Sequence, residues 1–147
     1  MITIKNSQRK IAIDLDQIKN DAQKILDFLG YSDFDCGIWI TTNATIKRYN
    51  ALYRKKNRPT DILSFPFHPE LKPGQKIKVS SDDDKNLGDL IIAAEYVFKD
   101  YSNTMNERMS VLLVHGICHL LGYDHQTDQQ FAQMQKLEKI LLKLLKN

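Results

Sequence analysis

The sequence predicts a single α+β domain, in which one small mixed sheet of four strands packs with about five helices. Its length of 147 residues suits one domain, and neither a linker nor an internal repeat divides it. Strand-like segments lie in the first two thirds of the chain, whereas helical periodicity dominates the last third. We therefore expect one domain over residues 1–147, with a buried central helix from the last third of the chain.

The N-terminal part of the chain predicts a strand, a helix and a second strand. Residues 2–5 alternate between apolar and polar, as a half-buried strand does. Asp16 is a suitable N-cap for the helix that follows, and Gly30 is a suitable C-terminal stop. Residues 36–41 have the composition of a second strand. Helical spacing between the two caps is shown by Ile18, Ala22, Ile25, Leu26 and Leu29.

The middle of the chain predicts a helix, two strands and a long loop. Thr42 or Asn43 caps the helix, whose apolar face consists of Ile46, Tyr49, Leu52 and Tyr53. Residues 61–67 predict an apolar strand that Pro66 ends, and residues 87–93 predict the last strand. The polar residues 68–86 between them predict a mobile loop, in which a short hairpin is an option.

Three helices are predicted after the last strand. The first continues from that strand to about residue 101. Residues 107–121 have almost no polar face, so this helix should run through the core. A final amphipathic helix begins at about Asp128 and carries Phe131, Met134, Leu137, Ile140, Leu141 and Leu144.

Three of the four histidines lie in residues 115–125, HGICHLLGYDH. His115 and His119 are one turn apart on the predicted central helix, so their side chains point within ~40° of each other. Gly122 can end this helix in the left-handed conformation, after which the chain returns His125 toward the other two. We expect these three imidazoles to hold one metal ion, with a fourth coordination position left open for chemistry.

The ligand set and its spacing limit the metal and the reaction. Neutral imidazoles suit Zn²⁺ best among the common ions, although Ni²⁺ and Fe²⁺ also accept them. The spacing matches the HExxHxxGxxH pattern of metzincin proteases, but Gly116 replaces the glutamate that is their general base. We expect this glycine to allow a close approach or to relieve crowding near the metal. A zinc-activated nucleophile that attacks a phosphodiester is therefore favoured over peptide hydrolysis.

Several side chains near this site have competing interpretations. Cys118 is expected in the core, with ligation as the alternative, and His68 is expected at the surface. Asp89 is a candidate for orienting a ligand histidine from behind. Asp124 is expected to stabilise the turn before His125, with the orienting role as its alternative. Thr60 and Asp61 are expected to organise the junction before the third strand.

The segment 47–58, KRYNALYRKKNR, has six basic side chains and no acidic one. It is either a solvated surface or a patch for phosphate, with Tyr49 and Tyr53 available for stacking. Arg54 stands where a guanidinium could reach a bound phosphate and stabilise charge developing on it. The alternative is an ion pair between Arg54 and either Asp61 or Asp89.

Residues 53–67, 86–93 and 115–125 carry a resemblance to a known family. The last of these matches the hallmark HGxxHLxGYDH throughout, and the others resemble a YR…TDVLSFP block and an LGDI block. This chain thus resembles the bacterial YbeY-type endoribonucleases of rRNA maturation, over roughly residues 35–140. Departures are Cys118, where leucine is usual, Gln126, where many relatives have an acid, and the strongly charged loop.

The resemblance implies a zinc ion on His115, His119 and His125 and a functional arginine at Arg54. On that basis we expect catalytic roles for Arg54 and His115. It also implies a substrate of single-stranded RNA, a role in rRNA maturation and ribosome quality control, and association with the small ribosomal subunit.

Two other classes of function stay open at this stage. One is a zinc metallopeptidase-like hydrolase, which Gly116 disfavours. The other is a non-catalytic factor that binds RNA or the ribosome and contains a structural zinc; such sites normally have four protein ligands. The sequence shows neither a signal peptide nor ~18 consecutive apolar residues, and it has two cysteines far apart. We therefore expect a cytoplasmic protein without membrane contact.

Overall fold

Four strands form one mixed sheet in the computed structural model, which describes residues 1–146. They are β1 (Ile2–Asn6), β2 (Asp35–Thr41), β3 (Ile62–Pro66) and β4 (Asn86–Ala93). In the sheet their order is β1-β2-β4-β3; β1, β2 and β4 are parallel, and β3 pairs antiparallel with β4 at the edge.

Five helices complete the α+β domain, and the predicted fold class is confirmed. They are α1 (Leu15–Leu29), α2 (Asn43–Arg54), α3 (Ala94–Tyr101), α4 (Met105–Leu120) and α5 (Asp128–Leu145). Nine of the sixteen residues of α4 are buried, as expected for a central helix. Within residues 1–146, no helix combines the length and the apolarity needed to cross a membrane.

Local capping signals set the helix ends. Thr42 caps α2 by accepting a hydrogen bond from the Thr45 amide at 3.2 Å, and Gly30 ends α1 with a φ of 84°. The predicted start of α1 is wrong by two residues, because Asp14 rather than Asp16 accepts from the Gln17 amide, at 3.0 Å. Asp16 lies instead in the first turn, where a negative charge favours the helix dipole.

The two faces of the sheet are covered by different helices. α1 and α4 pack on the face that carries Ile38, Ile40, Leu90 and Ile92, which we call the α4 face, and α5 packs on these two helices. The three helices and this face form the main core. α2 packs on the opposite face, which we call the α2 face. There Ile46 forms a smaller core with Leu63, Ile91 and Ala93.

The predicted apolar face of α2 is wrong at two positions. Leu52 and Tyr53 are 68% and 58% exposed, and Tyr53 lines an open groove rather than the core. Asn50 is buried instead; its Nδ2 donates to the Arg58 carbonyl at 2.9 Å, and its own carbonyl accepts from the Lys56 amide at 3.2 Å. The buried amide therefore shapes the basic turn after α2.

Residues 68–86 form a loop without a hairpin, and three contacts join its parts to one another or to the rest of the domain. Leu71 is buried in the main core. His68 Nε2 bonds to the Asp84 carbonyl at 2.8 Å, beside a short 3-10 helix at Asp82–Asp84. The Ile77 amide donates to the Tyr31 hydroxyl at 3.3 Å. The segment thus packs against the domain, next to the end of α4.

Candidate active site

The three clustered histidines come together at the C-terminal end of α4. His115 and His119 lie on α4, and His125 lies in the loop that follows it. Each ring directs one nitrogen inward, and the three nitrogens lie within 4.8 Å of one another. The Nε2 atoms of His115 and His119 are 3.1 Å apart. Two ligands of one tetrahedral zinc ion lie ~3.3–3.4 Å apart, so the spacing suits a shared ion.

A tight chain reversal returns His125 to this group. Gly122 has a φ of 94°, and a Cβ at this position would collide with the carbonyl of Leu71. The Tyr123 amide donates to the Cys118 carbonyl at 3.1 Å, which closes the helix end. Asp124 then accepts a hydrogen bond from the His125 amide at 2.8 Å. The reversal needs glycine for both conformation and space, and the turn role expected for Asp124 agrees with this contact.

The outer ring nitrogens of two histidines have acceptors. His119 Nδ1 donates to the Tyr123 carbonyl at 2.8 Å, and His115 Nδ1 donates to Glu138 Oε2 at 2.9 Å. In a neutral imidazole with a protonated Nδ1, Nε2 has a lone pair and no hydrogen. Two such lone pairs face each other here at 3.1 Å. That arrangement is repulsive by itself and suits a cation between them, so these residues fit a metal ion.

Electrostatics also favour the ligand form of His119. Burial lowers its pKa, and the neighbouring His115 and His125 lower it further, against the hydrogen bond to Tyr123. The neutral imidazole is the form that binds metals. Burial of the ring therefore prepares His119 for coordination.

Glu138 on α5 is the site residue that sequence reasoning missed. Its side chain is 21% exposed, although it lies in a helix rich in lysine, and it contacts a ring 23 residues away. A carboxylate behind a ligand histidine fixes the tautomer and raises the basicity of the ring. Its only sequence signal is helical spacing, which places this acid on the same face of α5 as the apolar residues Met134 and Leu141.

Two of the three α4 residues between His115 and His119, Gly116 and Cys118, lie in the packed core rather than in the histidine group. Cys118 is fully buried in the core, as expected, and burial raises the pKa of its thiol to about 12. A Cβ on Gly116 would lie 2.8 Å from side-chain carbons of Ile62 and Leu90. Gly116 therefore allows α4 to approach the sheet, and the expectation of crowding near the metal is wrong.

The histidine group opens into a cleft of about 1000 Å³. One wall is formed by the three clustered histidines, and the other is formed by β3 and the turn after α2. The second wall includes three basic residues of the predicted patch, Arg54, Lys56 and Arg58. The structure thus brings the cations and the three imidazoles to one cavity. His68 also lines this cleft, with its side chain only 13% exposed, so the expectation of a surface histidine is wrong.

Arg54 has no carboxylate partner among the described residues. Its Nη2 donates to the Ser64 carbonyl at 2.7 Å, and its guanidinium carbon lies 5.6 Å from the centre of the Phe65 ring. Asp61 instead accepts from the Ile62 amide at 2.7 Å and lies 4.0 Å from Arg108. Neither alternative ion pair of Arg54 is formed, and Asp61 organises the start of β3 as predicted.

Asp89 lies on the α2 face, away from the histidines. Side chains alternate along a strand, and its neighbour Leu90 belongs to the core of the α4 face. A Cβ on Gly37 would collide with the Asp89 carboxylate, which shows that this carboxylate lies over Gly37. The expectation that Asp89 orients a ligand histidine is wrong; Glu138 and the Tyr123 carbonyl bind those rings.

The free edge of β3 faces the cleft. The Asp61 carbonyl accepts from the Ala93 amide at 2.9 Å, and the Phe67 amide donates to the Leu87 carbonyl at 3.1 Å. The odd-numbered residues of β3 therefore form the backbone hydrogen bonds with β4. The backbone groups of the even-numbered Ser64 point away from β4, toward the free edge. The carbonyl of Ser64 holds Arg54 from this edge.

Comparison with known proteins identifies relatives of this chain. The family model described as Endoribonuclease YbeY matches residues 3–146. The Homo sapiens protein named Endoribonuclease YbeY is 38% identical over 143 residues, which cover 96% of this chain and 86% of the relative. The Aquifex aeolicus protein of the same name is 34% identical over 148 residues, covering 98% and 91%.

A solution structure of a Thermotoga maritima protein has the same fold. It matches with a TM-score of 0.60 at 22% identity and covers 99% of this chain and 89% of its own. Because the family model spans almost all of the chain and relatives from a mammal and a bacterium agree with it, this protein belongs to the Endoribonuclease YbeY family.

Proposed function

We propose that this chain is a single-strand-specific, metal-dependent endoribonuclease formed by one domain over residues 1–147. One observation carries the proposal: three imidazoles converge on one wall of a cleft whose other wall holds Arg54, free of any carboxylate among the described residues. A site for a cation and an uncompensated guanidinium are two features that a phosphodiester needs. The relatives that share nearly the whole chain have the name endoribonuclease.

His115, His119 and His125 would hold the metal ion, for which zinc is the best candidate. When bound, such an ion supplies positive charge to a phosphate oxygen and to the attacking hydroxyl. His115 thereby has its catalytic role as a ligand. Glu138 and the Tyr123 carbonyl keep the rings of His115 and His119 in the tautomer that directs Nε2 into the group.

Arg54 would bind the phosphate at which the chain is cut. The Ser64 carbonyl occupies one of its five N–H donors, so most of the planar fork stays available for phosphate oxygens. Its stacking against Phe65 limits rotation of the guanidinium. Arg54 would stabilise negative charge that increases on the phosphate during the reaction, while Lys56 and Arg58 would bind neighbouring phosphates.

The cleft disfavours peptide hydrolysis by a metzincin-like mechanism. That mechanism needs a carboxylate base beside the metal. Gly116 faces the sheet, and Glu138 is engaged behind His115. Among the described residues, no fourth protein ligand joins the three histidines, which argues against a purely structural zinc.

We also propose that the substrate is ribosomal RNA and that the enzyme acts in maturation and quality control of the ribosome. Its partner would be the small ribosomal subunit, and its site of action would be the cytoplasm. The resemblance of the three motifs supports this choice, and the basic wall of the cleft is compatible with an RNA backbone.

The experiment is cleavage of one RNA sequence, supplied single-stranded and as a duplex, before and after metal removal by a chelator. We expect cleavage of the single strand, loss on chelation and recovery with zinc. The variant His68→Ala is the matched control, because His68 lines the same cleft without joining the three clustered histidines. It should respond to the chelator and to zinc as the wild type does. Cleavage that persists without metal, or that requires the duplex, would contradict the proposal.

A further inference from the structure

The α2 face has an open groove of about 470 Å³ that the proposed reaction does not use. Four aromatic rings line it: Trp39, Tyr49, Tyr53 and Phe65. Asp89 and Gly37 lie on its floor. We call this site the aromatic groove.

The rings of the aromatic groove form one connected and oriented surface. Trp39 meets Tyr49 edge to face at 5.5 Å, Tyr49 and Tyr53 are nearly parallel at 6.0 Å, and Tyr53 meets Phe65 edge to face at 5.3 Å. The Trp39 indole N–H donates to the Ser7 hydroxyl at 2.8 Å, which fixes that ring. Tyr53 is nevertheless 58% exposed. An ordered, partly exposed aromatic surface of this kind suits a flat ligand that stacks.

The floor of the groove offers a hydrogen-bond acceptor. The Asp89 carboxylate forms no hydrogen bond or ion pair among the described residues, and it lies where a side chain at position 37 would be. Because residue 37 is glycine, the carboxylate has space above the strand. A ligand with N–H donors at its edge would satisfy both carboxylate oxygens.

The rim of the groove is basic. Lys5 Nζ lies 4.7 Å from the centre of the Trp39 ring, and the guanidinium carbon of Arg48 lies 5.9 Å from that of Tyr49. Arg54 reaches the groove by stacking on Phe65 and reaches the histidine cleft by its bond to Ser64. Cations at the rim attract a phosphate, whereas the acid at the floor repels one. A nucleotide complements both parts of the groove when its phosphate lies at the basic rim and its base points toward the acidic floor.

We propose that the aromatic groove binds a nucleobase, with guanine preferred, of the RNA strand that occupies the histidine cleft. This proposal rests on the proposed function for the nature of that strand. Arg54 and β3 separate the two sites, so a strand that leaves the cleft over Arg54 reaches the groove. The Watson–Crick edge of guanine presents two adjacent N–H donors to a carboxylate, which adenine does not.

Trp39 is the single tryptophan of the chain and reports directly on the groove. The experiment is a fluorescence titration of metal-stripped protein with GMP, AMP, CMP and UMP. We expect GMP to quench Trp39 at the lowest concentration. Asp89→Asn should weaken GMP binding about tenfold or more, because it removes a bidentate pair. Tyr53→Ala should weaken it about five- to hundredfold through lost stacking. Phe131→Ala is the control, because Phe131 is 52% exposed on α5 and outside the groove.

Three outcomes would overturn the proposal. The first is the absence of quenching by every nucleotide, which is expected if the groove binds a protein instead. The second is equal binding of GMP and AMP. The third is unchanged GMP binding in Asp89→Asn or Tyr53→Ala. Failure of the proposed function is distinguishable, because GMP binding to His119→Ala tests the groove without metal or cleavage. Loss of RNA cleavage with retained GMP quenching would contradict the reaction alone.

Discussion

The α4 face and the α2 face of one sheet show two uses of glycine. On the α4 face, Gly116 lets a helix contact Ile62 and Leu90, and the space is filled by protein. On the α2 face, Gly37 leaves space that the Asp89 carboxylate shares with an open groove. One face thus has the group of three histidines at its rim, whereas the other keeps its aromatic residues partly exposed. Glycine therefore closes one face by packing and leaves the other open to solvent.

Removing a ligand histidine should have the largest effect. His119→Ala leaves two imidazoles and should abolish zinc binding at stoichiometric concentrations. Zinc at a thousandfold excess over its Kd stabilises a fold by about 4 kcal/mol. Thermal unfolding with and without zinc should show this increase for the wild type and His68→Ala, and no increase for His119→Ala. An equal increase in all three proteins would show that zinc binds elsewhere.

Changes at Arg54 should lower the rate rather than the stability. The loss of one well-placed charge donor costs about 10²–10³ in rate, so Arg54→Ala should lower single-turnover cleavage by this factor at saturating RNA. Arg54→Lys should recover little, because an ammonium group cannot form the bidentate fork. Lys56→Ala is the matched control and should weaken affinity and its salt dependence instead. If both alanine variants change affinity alone, Arg54 is only part of the basic wall.

The carboxylate behind His115 should have a smaller effect. Glu138→Gln keeps the size of the side chain but removes its charge, and such outer partners contribute about 10–100-fold to metal affinity. A competition titration with a chromophoric chelator measures this difference. Glu107→Gln, which changes an exposed acid in the first turn of α4, should leave the affinity unchanged. Equal affinities of wild type and Glu138→Gln would exclude a role for this contact.

The two glycines test the comparison of the faces with the smallest expected effect. Gly116→Ala should lower the free energy of unfolding by about 1–2 kcal/mol, because overpacking against Ile62 and Leu90 exceeds the gain in helix propensity. Gly37→Ala should change it by less than about 0.5 kcal/mol, since the flexible Asp89 side chain can move aside. Urea unfolding of both variants measures the difference. Equal destabilisation would show that the two faces are packed alike.

The sequence predicted the features that depend on nearby residues. The convergence of the three histidines follows from helical spacing and one glycine, and the buried helix α4 follows from its composition. Features that depend on the arrangement of the sheet were missed. Alternation along β4 shows that Asp89 and Leu90 face opposite sides, but the strand does not reveal which side the histidines share. Glu138 meets His115 only because α5 packs on α4, which spacing within either helix does not indicate.

Stoichiometric reconstitution tests the central claim, that the three histidines bind one metal ion for RNA cleavage. Metal-stripped wild type and His125→Ala are titrated with zinc while bound metal and cleavage of a single-stranded RNA are measured in the same samples. We predict that wild-type cleavage rises in proportion to bound zinc and stops rising at about one ion per chain, as a three-ligand site requires. His125→Ala should neither retain the ion nor recover cleavage. Full cleavage by the metal-free wild type, or equal recovery of both proteins, would contradict the account.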